Sequence, residues 1–210
     1  MNKTIIHHIE LSHTSQNLSG GESSLIGIVK HLASYKEISQ VIYTSESGKE
    51  VYLKRLGYEG KKVQFVVIGK KKIEKINEYL AYYARIFQIF FSVKKFSDDV
   101  NNVILSHEEF LPTLLYCLLL KRKNKNSRWF AIFHMRSPSI WKGFEGEYTG
   151  KFRFPNLRII RYRFEQWLFF NLSRKKVETL ITVNPSYEEF LKKIYKDVYV
   201  LKIFGGENIF

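Results

Sequence analysis

Cysteine is all but missing: Cys117 stands alone in 210 residues, so the chain can form neither an intramolecular disulfide nor a four-cysteine zinc site. It sits in the apolar run 114–118 (LLYCL), where a buried thiol is expected rather than a nucleophile. Proline is scarce at four, and the twelve glycines follow no period, which excludes collagenous and low-complexity chains. The opening MNKTIIHH has no apolar core and no small-residue cleavage site, so no signal peptide is read there. The longest uncharged apolar stretches, 86–93 and 110–120, fall short of the roughly 20 residues that a spanning helix needs. A cytoplasmic protein, soluble or peripheral on the inner face of the membrane, is expected.

Acidic residues are also in deficit. Lys and Arg number 34 against 20 Asp and Glu, a net charge of +14. Such a field favours anionic partners: nucleic acid, an anionic lipid surface or phosphorylated small molecules. Hydrophobic residues, at 45%, are enough to give a chain of this length one core of its own.

What is present alternates regularly. Strand-like runs fall at 4–11, 40–44, 62–68, 102–105, 129–133, 179–183 and 198–203, several almost continuously apolar. That is the pattern of strands buried on both faces of a parallel sheet. Between them, Leu25, Val29 and Leu32 recur at helical spacing, and helical patterns cover 73–96, 108–121, 157–172 and 186–195. The alternation predicts an α/β fold with a Rossmann-like, doubly wound, mostly parallel sheet of about seven strands. Ser19–Glu22, Ser106–Glu109 and Ser186–Glu189 each match the S-x-x-E capping box after a predicted strand. Residues 135–155, with Trp141, form a long connection of the kind that is usually functional or mobile.

In such a sheet ligands bind outside the carboxyl ends of the strands. Gly20 and Gly21 follow the first strand and open a helix, where backbone N–H groups can approach a phosphate. A tight strand-to-helix turn accounts for them equally well. The fourth predicted strand is followed by His107, and the fifth by His134 and Arg136. The two histidines are expected to face one crevice. His7 and His8 point to opposite faces of a strand and are read as structural. No H-E-x-x-H, G-x-G-x-x-G, P-loop or G-x-S-x-G motif occurs. The aromatic, basic stretch 79–96 is a candidate for lipid contact, with a core helix as its alternative.

Taken in order, these segments resemble the N-terminal domain of a family 4 glycosyltransferase of GT-B architecture. Residues 19–33 (SGGESSLIGIVKHLA) are similar to that family's Gly-Gly loop and first helix. Residues 98–107 (DDVNNVILSH) resemble its fourth strand, and residues 129–134 its fifth strand, which ends in a characteristic His. Glu165 begins the stretch before TLITVN at 179–184, where Asn184 replaces the usual Ser. The tail 198–210 resembles the crossing into the second domain, with Phe204 for Asn, Gly205 retained and Glu207 for Asp.

The resemblance implies retaining transfer of a sugar from a nucleotide-sugar donor, without a metal or other cofactor. The acceptor, a glycan or lipid-linked molecule of cell-surface polysaccharide or glycolipid synthesis, would bind this half. It assigns the catalytic role to His134, which contacts the transferred sugar, and leaves Gly20, Gly21, His107 and Arg136 to bind donor phosphate or acceptor. The family's donor half carries a Glu-x7-Glu pair, and no Glu here has another Glu eight positions on. Residues 1–210 are therefore read as a single acceptor-side domain, inactive alone, whose donor domain or subunit lies elsewhere. The alternative is a non-catalytic basic α/β module. It would serve as a partner subunit of a split transferase or as a nucleic-acid binder, although no RRM, KH or helix-turn-helix signature appears.

Overall fold

The computed structural model describes residues 3–12, 20–69, 77–140 and 157–201. Seven strands form one all-parallel sheet: β1 (Thr4–Ile9), β2 (Ile38–Thr44), β3 (Val63–Val67), β4 (Asn101–Ser106), β5 (Arg128–Phe133), β6 (Thr179–Thr182) and β7 (Val198–Val200), in the order β3-β2-β1-β4-β5-β6-β7. Among the described residues six α-helices flank it: α1 (Gly20–Leu32), α2 (Glu46–Leu56), α3 (Glu78–Ser92), α4 (Leu111–Lys123), α5 (Leu157–Ser173) and α6 (Glu188–Lys192).

Strand alternation divides the core. Trp129, Ala131 and Phe133 of β5 pack with Leu114, Cys117 and Leu120 of α4 and with residues of α3, α5 and α6. Leu25 and Val29 of α1 and Tyr52 and Leu56 of α2 pack on Ile42 and Val63 in a separate cluster. Ile6, Leu105 and Ile132, on alternate strand positions, form a third cluster with Ile28 and Leu32 of α1 packed against it. Helices thus cover both faces, which is the doubly wound arrangement the alternation predicts. Cys117 is a fully buried thiol, and burial pushes its pKa up, away from nucleophilic use.

Several local expectations are corrected. The helix expected at 108–121 begins at Leu111, because Ser106 completes β4 and Pro112 supplies a first-turn residue with no N–H to satisfy. The Ser106–Glu109 capping box does not form. At 184–188 the cap is Asn184, whose side chain accepts from Ser186 N–H, and a 3₁₀ turn (Pro185–Tyr187) precedes the short α6. Ser19 of the remaining box lies outside the described residues. So do 73–76 of the expected 73–96 helix, most of the long connection, and the tail from 202 onward. Asn77 caps α3, accepting from Tyr79 N–H and Leu80 N–H. Glu165 stands in α5, inside the helix expected at 157–172. Helix α2 was not expected at all. Ser45 caps it, accepting from Gly48 N–H, and it buries Gly48, Tyr52 and Leu56.

Candidate functional site

Strand β1 has β2 on one side and β4 on the other, so chain connections leave it in opposite directions. The switch point lies between β1 and β4, and in such sheets ligands bind in a crevice beyond the carboxyl ends at that point. Described residues there are Glu10 to Ser12 after β1, His107 to Glu109 after β4, and His134 after β5. The first turn of α1 completes it.

The sequence-predicted residues come together here with one exception. His134 Nε2–H donates to the carbonyl of His107 at 2.9 Å. A Cβ on Gly21 would stand 3.6 Å from His134 Nε2 and 3.7 Å from that carbonyl. Gly20 opens the same helix turn. Arg136 departs from the group: it is exposed, and its guanidinium lies 4.7 Å over the Phe190 ring of α6.

His8, read with His7 as structural, is fully buried and holds His107 in place. His7 is scaffold: it bonds Tyr43 Oη (3.1 Å) and Asn102 Oδ1 (3.0 Å) and stacks on Phe96. His8 instead begins a directional chain. Gln40 Nε2 donates to Val29 O at 3.1 Å, which leaves its Oε1 to accept from His8 Nε2–H at 2.9 Å. His8 Nδ1 is then an acceptor and takes Nε2–H of His107 at 2.9 Å. The chain ends at His107 Nδ1, a buried lone pair with no hydrogen-bond partner among the described residues. Burial holds His8 down to about 4 and His107 well below the ordinary histidine range. His134 is lowered as well, by burial first, with its bond to the His107 carbonyl and the charge of Glu22 acting in opposition. All three rings are therefore neutral near pH 7. His134, holding its proton on Nε2, turns Nδ1 into an acceptor.

Three buried carboxyls, Glu10, Glu108 and Glu109, follow β1 and β4, and their arrangement was not legible in the sequence. Glu108 accepts the backbone N–H groups of Leu11 (3.0 Å) and Ser12 (2.8 Å) and the hydroxyls of Ser12 and Thr113. Arg85, from α3, reaches the carbonyl of Leu11. Together they fix the chain as it leaves β1. Tyr52 Oη donates to Glu10 at 2.7 Å, and Tyr162 Oη to Glu109 at 2.7 Å. Burial pushes Glu10 up to about 7, with Glu22 adding to it. Burial likewise pushes Glu109 up to about 7, and Glu108 up to about 8 with help from Glu10. Each of these three acids accepts bonds that hold a loop, a strand end or a helix, so their role is to shape the crevice. Among the described residues, no three His, Cys, Asp or Glu side chains are grouped to hold a metal ion.

No protein-family model matches the chain, and no curated protein matches it. The crevice itself therefore has to carry the functional argument.

Gly21 offers a graded probe. A single Cβ meets only ordinary contacts, so Gly21→Ala is expected to fold with unchanged or slightly raised stability, by about 0.5–1 kcal/mol from helix propensity. Gly21→Val adds γ-carbons within reach of the His134 ring and is expected to abolish function while still folding. Thermal melts of both variants beside an activity measurement check this. Equal activity in Val and wild type would reduce Gly21 to a turn residue.

Proposed function

We propose that the chain is the acceptor-side half of a retaining glycosyltransferase. On this reading it moves a sugar from a nucleotide-sugar donor to a glycan or lipid-linked acceptor in cell-surface polysaccharide or glycolipid synthesis. The observation that carries the reading is the convergence of Gly21, His107 and His134 at the β1/β4 switch point of a seven-stranded parallel sheet. The same residues lie in the segments that resemble family 4 enzymes of GT-B architecture.

In this reaction positive charge builds at the anomeric carbon and negative charge on the departing diphosphate. The N-terminus of α1 carries no side chain at Gly20 and Gly21, so a diphosphate could approach the positive end of the helix dipole closely. Glu22 in the same turn limits how much net positive field remains there. His134, neutral and held by the His107 carbonyl, accepts a sugar hydroxyl at Nδ1 and so orients the anomeric carbon toward the acceptor. A second domain or subunit supplies the remaining donor contacts, and the work takes place at the cytoplasmic face of a membrane.

The test uses membranes from cells that make the chain and from cells lacking it, incubated with a panel of labelled nucleotide sugars. Label is expected to enter a glycan or lipid-linked product only in the first. The purified chain alone is expected to transfer nothing, since one wall of a cleft cannot assemble the transition-state contacts. Identical product patterns from the two membranes would sink the transferase reading, and transfer by the purified chain would sink the two-half reading.

A further inference from the structure

Two helices on the same side of the sheet turn apolar faces outward. On α3, Leu80, Tyr83, Phe87 and Phe91 follow helical spacing, and all are exposed, Phe87 by 71% and Phe91 by 92%. The opposite side of α3 is already buried through Ala81, Tyr82 and Ile89. On α5 the same spacing links Leu157, Ile160, Phe164 and Trp167, with Leu157 81% exposed. The helices touch: Tyr82 Oη donates to Glu165 at 2.6 Å, and the Arg161 guanidinium lies over the rings of Tyr79 and Tyr82. A helix with an apolar stripe facing water as well as one facing the core has a second surface to bury.

Charge says what that surface meets. Residues 79–95 contain no acid. Residues 157–177 contain six Lys and Arg against one acid, Glu165, which is buried. Two copies packed through this face would bring their cations together, whereas an anionic bilayer satisfies both the rings and the cations. No described helix is long and apolar enough to cross a membrane. The geometry points to α3 and α5 as a paired interfacial surface that lies on an anionic lipid bilayer, rings in the headgroup boundary and basic residues against lipid phosphates. This deepens the membrane placement proposed above. Its test reads binding and not transfer, so the two ideas fail separately.

The purified chain is sedimented with vesicles of phosphatidylcholine alone and of phosphatidylcholine mixed with phosphatidylglycerol, at low and high salt. Binding is expected only with the anionic lipid, and it should fall as salt rises. Phe87→Ser with Phe91→Ser should weaken partition about tenfold or more, because binding scales with the apolar area inserted. Arg163→Gln with Arg174→Gln should weaken it by about fivefold per charge removed. Melting temperatures of both variants confirm that they fold, and brominated acyl chains should quench a fluorescence component that Trp167→Phe removes. Equal recovery in the supernatant with both vesicle types would overturn the proposal. So would anionic binding that ignores the phenylalanine substitutions, or a wild-type dimer that those substitutions dissociate.

Discussion

Replacing His134 by alanine is expected to cut sugar transfer by about 100-fold or more while leaving the melting temperature almost unchanged. The ring stands at the carboxyl end of β5, and its one hydrogen bond among the described residues is donated to the His107 carbonyl. Removing that donor leaves a single backbone oxygen to be taken up by solvent, a cost of about 1 kcal/mol. Removing the Nδ1 acceptor deprives the sugar of the contact that sets its orientation, which matters only during turnover. The comparison is made in membranes carrying the variant at wild-type abundance. A matching fall in stability, with activity per folded molecule preserved, would make His134 a strand cap and nothing more. His134→Asn, which keeps a side-chain amide near the ring's place, is expected to recover part of the loss.

The second large effect concerns pH. Unfolded glutamates ionise around 4.5, whereas Glu10 and Glu109 hold protons to about 7 and Glu108 to about 8 in the folded chain, chiefly through burial. Their contribution is fully present below 4.5 and is lost as pH rises through the folded values. The histidines act in the other direction: His7, His8, His107 and His134 are all lowered by burial. Their contribution is present above 6.5 and is lost as pH falls, toward about 4 for His8. Between 4.5 and 6.5 the two sets oppose each other, and above 6.5 the acids act alone. Stability is therefore expected to peak near neutrality on the acid side, and to fall by roughly 3 kcal/mol between pH 6.5 and 8.5. For a chain of this size that is a drop of about 10 °C in melting temperature. A melting temperature that is flat or rising across that interval would show that these carboxyls are ionised in the folded state.

The sheet was legible because its strands are short apolar runs at regular spacing, and β1, β4 and β5 fall within a residue or two of where they read. Helix α2 escaped because most of Glu46–Leu56 is polar and its mean hydropathy is low. The signal was there in Gly48, Tyr52 and Leu56, four residues apart and all buried, after the cap at Ser45. Ser106 misled because a serine at a strand end and one at a helix cap look alike in sequence. What separates them here is Trp129 Nε1–H, which donates to Ser106 Oγ from the neighbouring strand. The same holds for the site. Positions His107 and His134 were readable from strand ends, and the link between His8 and His107 was not, since it depends on the register of β1 against β4. Glu108 lay inside the Ser106–Glu109 capping-box match without being part of it, and its partners, Leu11 and Ser12, come from near the amino terminus.

The central position of β1 also bears on how the chain acquires its shape. Thr4 is hydrogen-bonded into register with Ile38 on one side and Asn101 on the other, and no strand of the sheet pairs through a hairpin. During synthesis β1 can associate early with β2 and β3, but its other edge stays open until residues 101–106 have left the ribosome. For that interval an apolar edge is available for mispairing with other nascent chains. The long-range closure of β1 on β4 makes folding slow for a chain of this size. Chaperone dependence should therefore track the emergence of β4, and chains arrested before residue 101 should be the aggregating species.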